Sequence, residues 1–124
     1  MDSKVILLIE DDADISILVK IALEAAGYKV INVFWGKEGI EKAKKDKVNL
    51  ILLDTMMSDM DGYEVIKNLK LRKTTKDIPV VFLSAKTQEK DIKKALSLGA
   101  VGYLTKPFDP EKLSEEVEQF LRGN

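Results

Sequence analysis

Asp54 immediately follows four large aliphatic residues, Leu50–Leu53, and is the clearest candidate for a chemically active group in the sequence. Four aliphatic residues are too few for a stable helix and fit a short strand buried on both faces, as the strands of parallel sheets are. In open α/β sheets, ligands bind at the carboxyl ends of the strands. A carboxylate at that edge is partly desolvated and needs a cation, hydrogen bonds or a proton. We therefore consider Asp54 as a site residue, against the simpler interpretation that it caps a helix or a turn.

Three other apolar segments are followed by residues whose side chains can act together with Asp54. Residues 5–9 are followed by Glu10 and Asp11, residues 80–83 by Ser84, and residues 101–104 by Lys106. Two carboxylates about 4 Å apart repel each other by about 4 kcal/mol at an effective dielectric constant of about 20. A cluster of three carboxylates is therefore not explained by stability.

The residue types in this set indicate phosphoryl transfer. Carboxylate oxygens without histidine or cysteine suit a hard cation, most simply Mg²⁺ that keeps several waters. Lys106 and the Ser84 hydroxyl add donors on the other flank. A divalent cation, a lysine and a hydroxyl around one carboxylate neutralise and position a phosphoryl group. Asp54 is then a candidate nucleophile that forms an acyl phosphate.

Each of these residues also has an ordinary explanation when it is taken alone. The acidic residues 10–12 fit a solvated helix start, where the helix dipole favours negative charge. Ser84 fits an N-cap or turn, and Lys106 fits a surface lysine in a loop. Their joint occurrence at four strand ends favours the functional interpretation.

The rest of the chain predicts the elements that position these residues. Apolar strand segments alternate with segments of helical periodicity, and five such strand–helix units follow one another without a linker or a repeat. This alternation predicts an α/β fold with a parallel sheet, helices on both faces and right-handed crossovers. The common solution is the flavodoxin-like, doubly wound, five-stranded sheet of order 2-1-3-4-5 with five helices. Strands one and three are neighbours in that order, so Glu10, Asp11 and Asp54 are predicted to converge.

The predicted elements can be stated by residue. Strands are predicted at residues 5–9, 28–33, 50–53, 80–83 and 101–104, and a helix is predicted at 36–47. The other helices carry Ile15, Leu18, Val19, Ala22, Ala25 and Ala26, then Val65, Ile66 and Leu69, then Ile92, Ala95 and Leu96, and finally Leu113, Val117, Phe120 and Leu121. Gly39 is expected to weaken its helix by up to ~1 kcal/mol relative to alanine. Asp109 is expected to cap the last helix.

Composition limits the function classes. The chain has 124 residues, 45% of them hydrophobic and 33% charged, and a net charge of −1, which fits one globular domain over residues 1–124. Positive and negative charges are balanced, so the sequence has no excess of positive charge that would indicate direct nucleic acid binding or binding to a membrane surface. The N-terminal apolar run is too short for a signal or membrane segment. The absence of cysteine suits a cytoplasmic location, and the absence of histidine excludes histidine catalysis and histidine metal ligation.

The motifs resemble those of the receiver domain of two-component response regulators, in particular the chemotaxis-type single-domain receivers, over nearly the whole chain. The matching stretches are IEDD (residues 9–12), LLDTMM (52–57), MDG (60–62), LSA (83–85) and LTKPF (104–108). The resemblance implies that Asp54 is the phospho-acceptor and that Asp11 and Asp54 ligate Mg²⁺. It also implies that the Met56 backbone carbonyl is a metal ligand and that Glu10 acts through metal-bound water.

The same resemblance implies a switch and a set of partners. Ser84 and Lys106 would contact the phosphoryl group, and Tyr103 would be the switch residue, exposed in the resting protein. Phosphorylation would then change the face formed by helix four, strand five and helix five. The phosphoryl donor would be a histidine kinase or a histidine phosphotransfer protein, and the output a downstream protein target or an output domain outside this sequence. Such a protein catalyses its own phosphotransfer and autodephosphorylation and is not a turnover enzyme.

Two local features follow from the resemblance. The Lys106-Pro107 bond is expected to be cis, which aims Lys106 into the site. Ser58 stands where the family usually has proline, and we expect a looser loop after Asp54.

Three other classes fit the sequence less well. A haloacid-dehalogenase-like phosphatase has a second aspartate two residues after the nucleophile, and this chain has Met56 there. A pseudo-receiver, which binds proteins without being phosphorylated, lacks part of the charged set that is intact here. A dinucleotide-binding protein needs glycines in the first strand–helix turn, where this chain has residues 10–12, all acidic.

Overall fold

Five strands and five helices alternate through residues 3–123, the part of the chain that the computed structural model describes. The strands are β1 (Val5–Ile9), β2 (Lys29–Val33), β3 (Leu50–Leu53), β4 (Val80–Ser84) and β5 (Gly102–Thr105). The helices are α1 (Ala13–Ala25), α2 (Gly36–Lys45), α3 (Gly62–Lys70), α4 (Glu89–Ser97) and α5 (Pro110–Arg122). All paired strands are parallel and the sheet order is β2-β1-β3-β4-β5, so the predicted fold class and strand order are confirmed.

The sheet is covered on both faces, which is why its central strands are continuous runs of apolar residues. One face carries Leu7, Ile51 and Phe82 and packs with apolar residues of α2, α3 and α4. The other face carries Leu8 and Leu52, among others, and packs with residues of α1 and α5. Alternate residues of each strand therefore enter different cores, as the period of two in a strand requires.

The ends of helices α1 and α5 carry residues with ordinary capping chemistry. The Asp12 carboxylate accepts a hydrogen bond from the Ile15 amide at 3.1 Å, and Gly27 ends α1 with a φ of 96°. Asp109 caps α5 by accepting from the Glu111 amide at 3.0 Å, as expected. These caps fix where α1 and α5 begin, directly after the strand ends at which the charged residues lie.

Gly39 has a packing role that outweighs its low helix propensity. A Cβ atom at this position would overlap the Ile9 side chain. The glycine therefore lets α2 lie directly on β1, where a larger residue would push the helix away from the sheet.

Several predicted details differ from the structure. The helix expected at residues 36–47 ends at Lys45, β2 begins at Lys29, and β5 begins at Gly102, against which Phe120 of α5 packs. Leu18 and Leu96, which share the helical spacing of the inward residues, are 49% and 47% exposed. In both helices, fewer apolar residues are buried against the sheet than their helical spacing predicts. The buried ones are Val19 and Leu23 in α1 and Ala95 in α4. Within residues 3–123, no helix has the length and apolar character needed to cross a membrane.

Candidate functional site

The carboxylates of Glu10, Asp11 and Asp54 meet where β1 and β3 end side by side. Ile9 and Leu53 are register partners, so the residues that follow them emerge next to each other. Each of the three side chains offers one oxygen atom, and these atoms all lie within 4.8 Å of one another. The predicted convergence at this edge is therefore present in the structure.

Lys106 joins this cluster from the end of β5. Its amide donates to the Ser84 carbonyl at 2.8 Å, and its bond to Pro107 is cis, as expected from the sequence. The ammonium Nζ lies 2.5 Å from Glu10 Oε1 and 3.5 Å from Asp54 Oδ2. One lysine thus faces two of the three carboxylates, and its side chain is only 13% exposed.

Burial makes the charge of Glu10 expensive. The residue is fully buried, and desolvation raises the pKa of its carboxyl to about 7, although the hydrogen bond from Lys106 opposes this shift. Hydrogen bonding and repulsion from the neighbouring Asp54 carboxylate contribute to the same rise in the pKa. A cation bound among these oxygens would offset the free-energy cost both of their mutual repulsion and of their desolvation.

A tight turn holds the segment after Asp54. The Met56 amide donates to Asp54 Oδ1 at 3.2 Å, and the Gly62 amide donates to the Thr55 carbonyl at 2.8 Å. A Cβ atom at Gly62 would overlap the Asp54 carbonyl oxygen, so α3 begins as close to the acceptor strand as glycine permits. This turn keeps the Met56 backbone beside the acidic cluster.

Ser84 lies beside this turn but its hydroxyl already has partners. Its Oγ is 2.6 Å from the Thr55 Oγ1 and accepts a hydrogen bond from the Lys86 amide at 3.0 Å. Tyr103 belongs to the same group, because its hydroxyl donates to the Lys86 carbonyl at 2.7 Å. Ser84 and Tyr103, two residues expected to form a switch, are thus both hydrogen-bonded to the backbone of Lys86.

Tyr103 is half-buried, which differs from the expected exposure. Its ring lies 6.0 Å from that of Phe82, centroid to centroid, and its hydroxyl is held by the β4–α4 loop. Apolar contact with the ring and a hydrogen bond for the hydroxyl together favour this position.

Sequence reasoning missed two hydroxyl groups of the site. Thr55, which directly follows the candidate acceptor, contacts Ser84. Ser58 donates to Asp11 Oδ2 at 2.8 Å. A polar residue at the end of an apolar strand and a serine in the position of a family proline were the available signals.

The donor set fits a hard divalent cation. Three carboxylates at one sheet edge supply oxygen ligands, and Lys106 pairs with two of them, Glu10 and Asp54. Oxygen ligands of this kind suit Mg²⁺, which commonly uses one or two carboxylates and retains waters. Asp11, the most exposed of the three, leaves the cluster open to solvent.

Comparison with known proteins defines the class of this chain. The model of the response regulator receiver domain matches residues 6–118. The chain therefore belongs to the response regulator receiver domain family, which is the class of two-component signalling module that its fold and site also define.

Particular relatives have similar sequences or folds. The alkaline phosphatase synthesis transcriptional regulatory protein PhoP of Bacillus subtilis is 40% identical over 97% of this chain and 49% of its own length. The chain thus spans about half the length of this curated relative. The chemotaxis protein CheY4 of Vibrio cholerae is 30% identical, with a TM-score of 0.89 over 95% of this chain and 98% of that chain. The receiver domain of the sensor histidine kinase PA1611 of Pseudomonas aeruginosa, solved with a magnesium ion in its active site cleft, is 25% identical with a TM-score of 0.89 over 98% of this chain and 99% of that one.

Proposed function

We propose that this receiver domain accepts a phosphoryl group on Asp54 in an Mg²⁺-dependent reaction. The observation that carries the proposal is the meeting of three carboxylates within 4.8 Å, with the Lys106 ammonium 3.5 Å from Asp54. Like charges at this distance destabilise the fold unless a ligand uses them. The whole chain, residues 1–124, is proposed to form this one domain.

The donor is a phosphohistidine of a histidine kinase or a histidine phosphotransfer protein. These 124 residues contain no histidine, so the phosphohistidine lies outside them. An Asp54 carboxylate oxygen attacks phosphorus, the phosphorus–nitrogen bond breaks, and the bonding electrons stay on the imidazole, which takes up one proton from water and leaves neutral. The products are an aspartyl phosphate and an unmodified histidine.

The neighbouring side chains of this domain stabilise the charge that the transfer brings in. Asp11, Asp54 and the Met56 carbonyl would hold Mg²⁺, with Glu10 acting through water, and the bound ion would neutralise charge at the phosphoryl oxygens. Lys106 pairs with a phosphoryl oxygen, and the Ser84 hydroxyl donates to another. These roles use every charged or donor residue predicted at the four strand ends.

The signal is proposed to leave through the face of α4, β5 and α5. Reorientation of Ser84 toward the phosphoryl group changes the contacts of Lys86 and hence of Tyr103. Phosphorylation then shifts a population between two arrangements through its different contacts in each. The recipient is a downstream protein or an output domain, the second of which fits a relative about twice as long and named a transcriptional regulator.

Treatment with acetyl phosphate and Mg²⁺ tests the proposal. Intact mass spectrometry is expected to find one added phosphoryl group on the wild type and none on Asp54→Asn, while Asp46→Asn, a surface change in the loop after α2, is modified normally. Undiminished modification of Asp54→Asn contradicts the assignment. Release of phosphate without a modified protein indicates a phosphatase, and neither product indicates a pseudo-receiver.

A further inference from the structure

Ser58 and Asp11 connect two loops that are far apart in the sequence. The Ser58 hydroxyl donates to Asp11 Oδ2 at 2.8 Å, across 47 residues. It thereby joins the β3–α3 loop, which follows the proposed phospho-acceptor, to the β1–α1 loop, which carries two of the three carboxylates. We infer that Ser58 is a positioning residue for the cation site, whose hydroxyl holds the Asp11 carboxylate ready for Mg²⁺. This inference rests on the proposed function.

Asp11 is the carboxylate that gains most from being held. Glu10 is buried and fixed by Lys106 and by the Asp12 amide, which donates to its Oε2 at 3.2 Å. Asp54 is buried and fixed by the Met56 amide and by Lys106. Asp11 is more exposed than either of them.

A hydrogen bond to Asp11 restricts its side chain before the cation binds, so binding costs less side-chain conformational entropy. A side chain free to rotate loses that freedom when it becomes a ligand, whereas an oriented one has already lost it. Ser58 engages Oδ2, and Oδ1 is the second oxygen with which Asp11 can ligate. Groups that orient metal ligands through hydrogen bonds affect affinity without touching the metal.

The loop that carries Ser58 is itself anchored on both sides. After Ser58, the Asp59 carboxylate accepts from the Gly36 amide at 2.8 Å and from the Lys37 amide at 3.0 Å, which binds the loop to the start of α2. Before it, Met56 pairs with Asp61 in an antiparallel bridge. The hydroxyl is therefore presented from a fixed backbone.

The loop was expected to be looser because Ser58 stands where the family usually has proline, but in the structure it is held on both sides. Proline would restrict the backbone without offering a donor. Serine in the same place gives up that restriction and adds a bond to a proposed metal ligand, while Asp59 and the bridge hold the backbone. Ser58 thus couples the position of the loop to the orientation of Asp11.

Titration of the metal-free full chain with Mg²⁺ tests the inference, with backbone amide signals in two-dimensional NMR reporting the affinity. Ser58→Ala and Ser58→Pro are expected to weaken the affinity about tenfold, the lower end of the range for ligand-orienting groups, because Ser58 is exposed. Ser58→Thr keeps a hydroxyl and is expected to bind within about twofold of the wild type. Ser97→Ala, which removes a surface hydroxyl that donates to the Lys94 carbonyl, is the matched control and is expected to bind like the wild type.

The variants separate the possible outcomes. Unchanged affinity in Ser58→Ala overturns the inference and leaves the proposed function standing. Wild-type affinity in Ser58→Pro, with weak binding in Ser58→Ala, also overturns it, because stiffness of the loop and not the hydroxyl would then be the cause. A wild type that does not bind Mg²⁺ overturns both proposals. Melting temperatures of the metal-free variants equal to that of the wild type show that the loss is confined to the site.

Discussion

The hydroxyl oxygens of Thr55 and Ser84 lie 2.6 Å apart, and both residues are almost completely buried. Thr55 directly follows the proposed acceptor, and Ser84 ends the adjacent strand β4. Through Lys86, whose amide donates to Ser84 and whose carbonyl accepts from Tyr103, the pair is connected to the proposed output face. A movement of Ser84 toward a phosphoryl group would therefore break its bond to Thr55.

Thr55→Val is expected to make switching easier. Valine fills nearly the same volume but has no hydroxyl. In the variant, Ser84 therefore has no hydrogen bond to residue 55 to break when it moves toward the phosphoryl group. In the resting state of this variant the buried Ser84 hydroxyl lacks that partner, which costs about 1–3 kcal/mol. Switching relieves this cost, so the apparent affinity for beryllofluoride, a phosphoryl mimic, should rise by about fivefold or more. NMR titration of the Tyr103 signals with beryllofluoride measures this change.

Two other variants complete the measurement. Thr55→Ser retains the hydroxyl and should respond like the wild type. Ser84→Ala should still take up the mimic at Asp54, but its Tyr103 signals should change little. Equal apparent affinities in Thr55→Val and the wild type would show that Thr55 does not restrain Ser84.

The strand-end carboxylates could be placed from the sequence because their positions depend on strand order alone. Apolar runs and helical periodicity define five units, the sheet order makes β1 and β3 neighbours, and Glu10 and Asp54 follow register partners. Strand order also places Lys106 at this edge of the sheet. The expectation that its side chain points into the site rested on the family resemblance and its cis Lys106-Pro107 bond.

The hydroxyl contacts could not be predicted because they depend on the paths of loops. Ser58 meets Asp11 only because the turn after Asp54 brings it across to another loop. The half-buried position of Tyr103 likewise depends on how its ring meets Phe82 and on where the Lys86 carbonyl points. Neither relation leaves a periodic pattern in the sequence.

Through Glu10, the stability of the metal-free protein is expected to fall as the pH rises from about 4.5 to about 7. Its pKa is about 7 in the folded protein, against 4.5 for the ordinary carboxyl, so the folded state binds the proton more tightly. Below the lower value both states are protonated and the group has no effect. As pH rises through the two values, the free energy of unfolding decreases by up to about 3 kcal/mol.

Urea unfolding without metal at several pH values measures this dependence. Glu10→Gln should flatten the profile in that range, since glutamine does not titrate. Glu115→Gln, an exposed change in α5, is the control and should keep the wild-type profile. A Glu10→Gln profile as steep as that of the wild type would assign the effect to other groups.

Repulsion within the acidic cluster predicts that Asp11→Asn stabilises the metal-free protein and removes most of the stabilisation by Mg²⁺. Mg²⁺ binds only the folded cluster, so at ten times its dissociation constant it should stabilise the wild type by about 1.4 kcal/mol. Asp11→Asn removes one of three carboxylates that lie within 4.8 Å, so the metal-free variant should be more stable than the metal-free wild type. The same variant should gain little from Mg²⁺, because asparagine is a weaker, neutral ligand.

Melting curves with and without Mg²⁺ test this pair of effects in one experiment. Asparagine keeps an oxygen that can accept from Ser58, so a stability change in Asp11→Asn reports charge and not the loss of that bond. Asp14→Asn, an exposed change in the first turn of α1, controls for general loss of negative charge near the site. If metal-free Asp11→Asn melts below the wild type, the carboxylates do not destabilise each other, and repulsion among them is not the reason for a cation at this edge of the sheet.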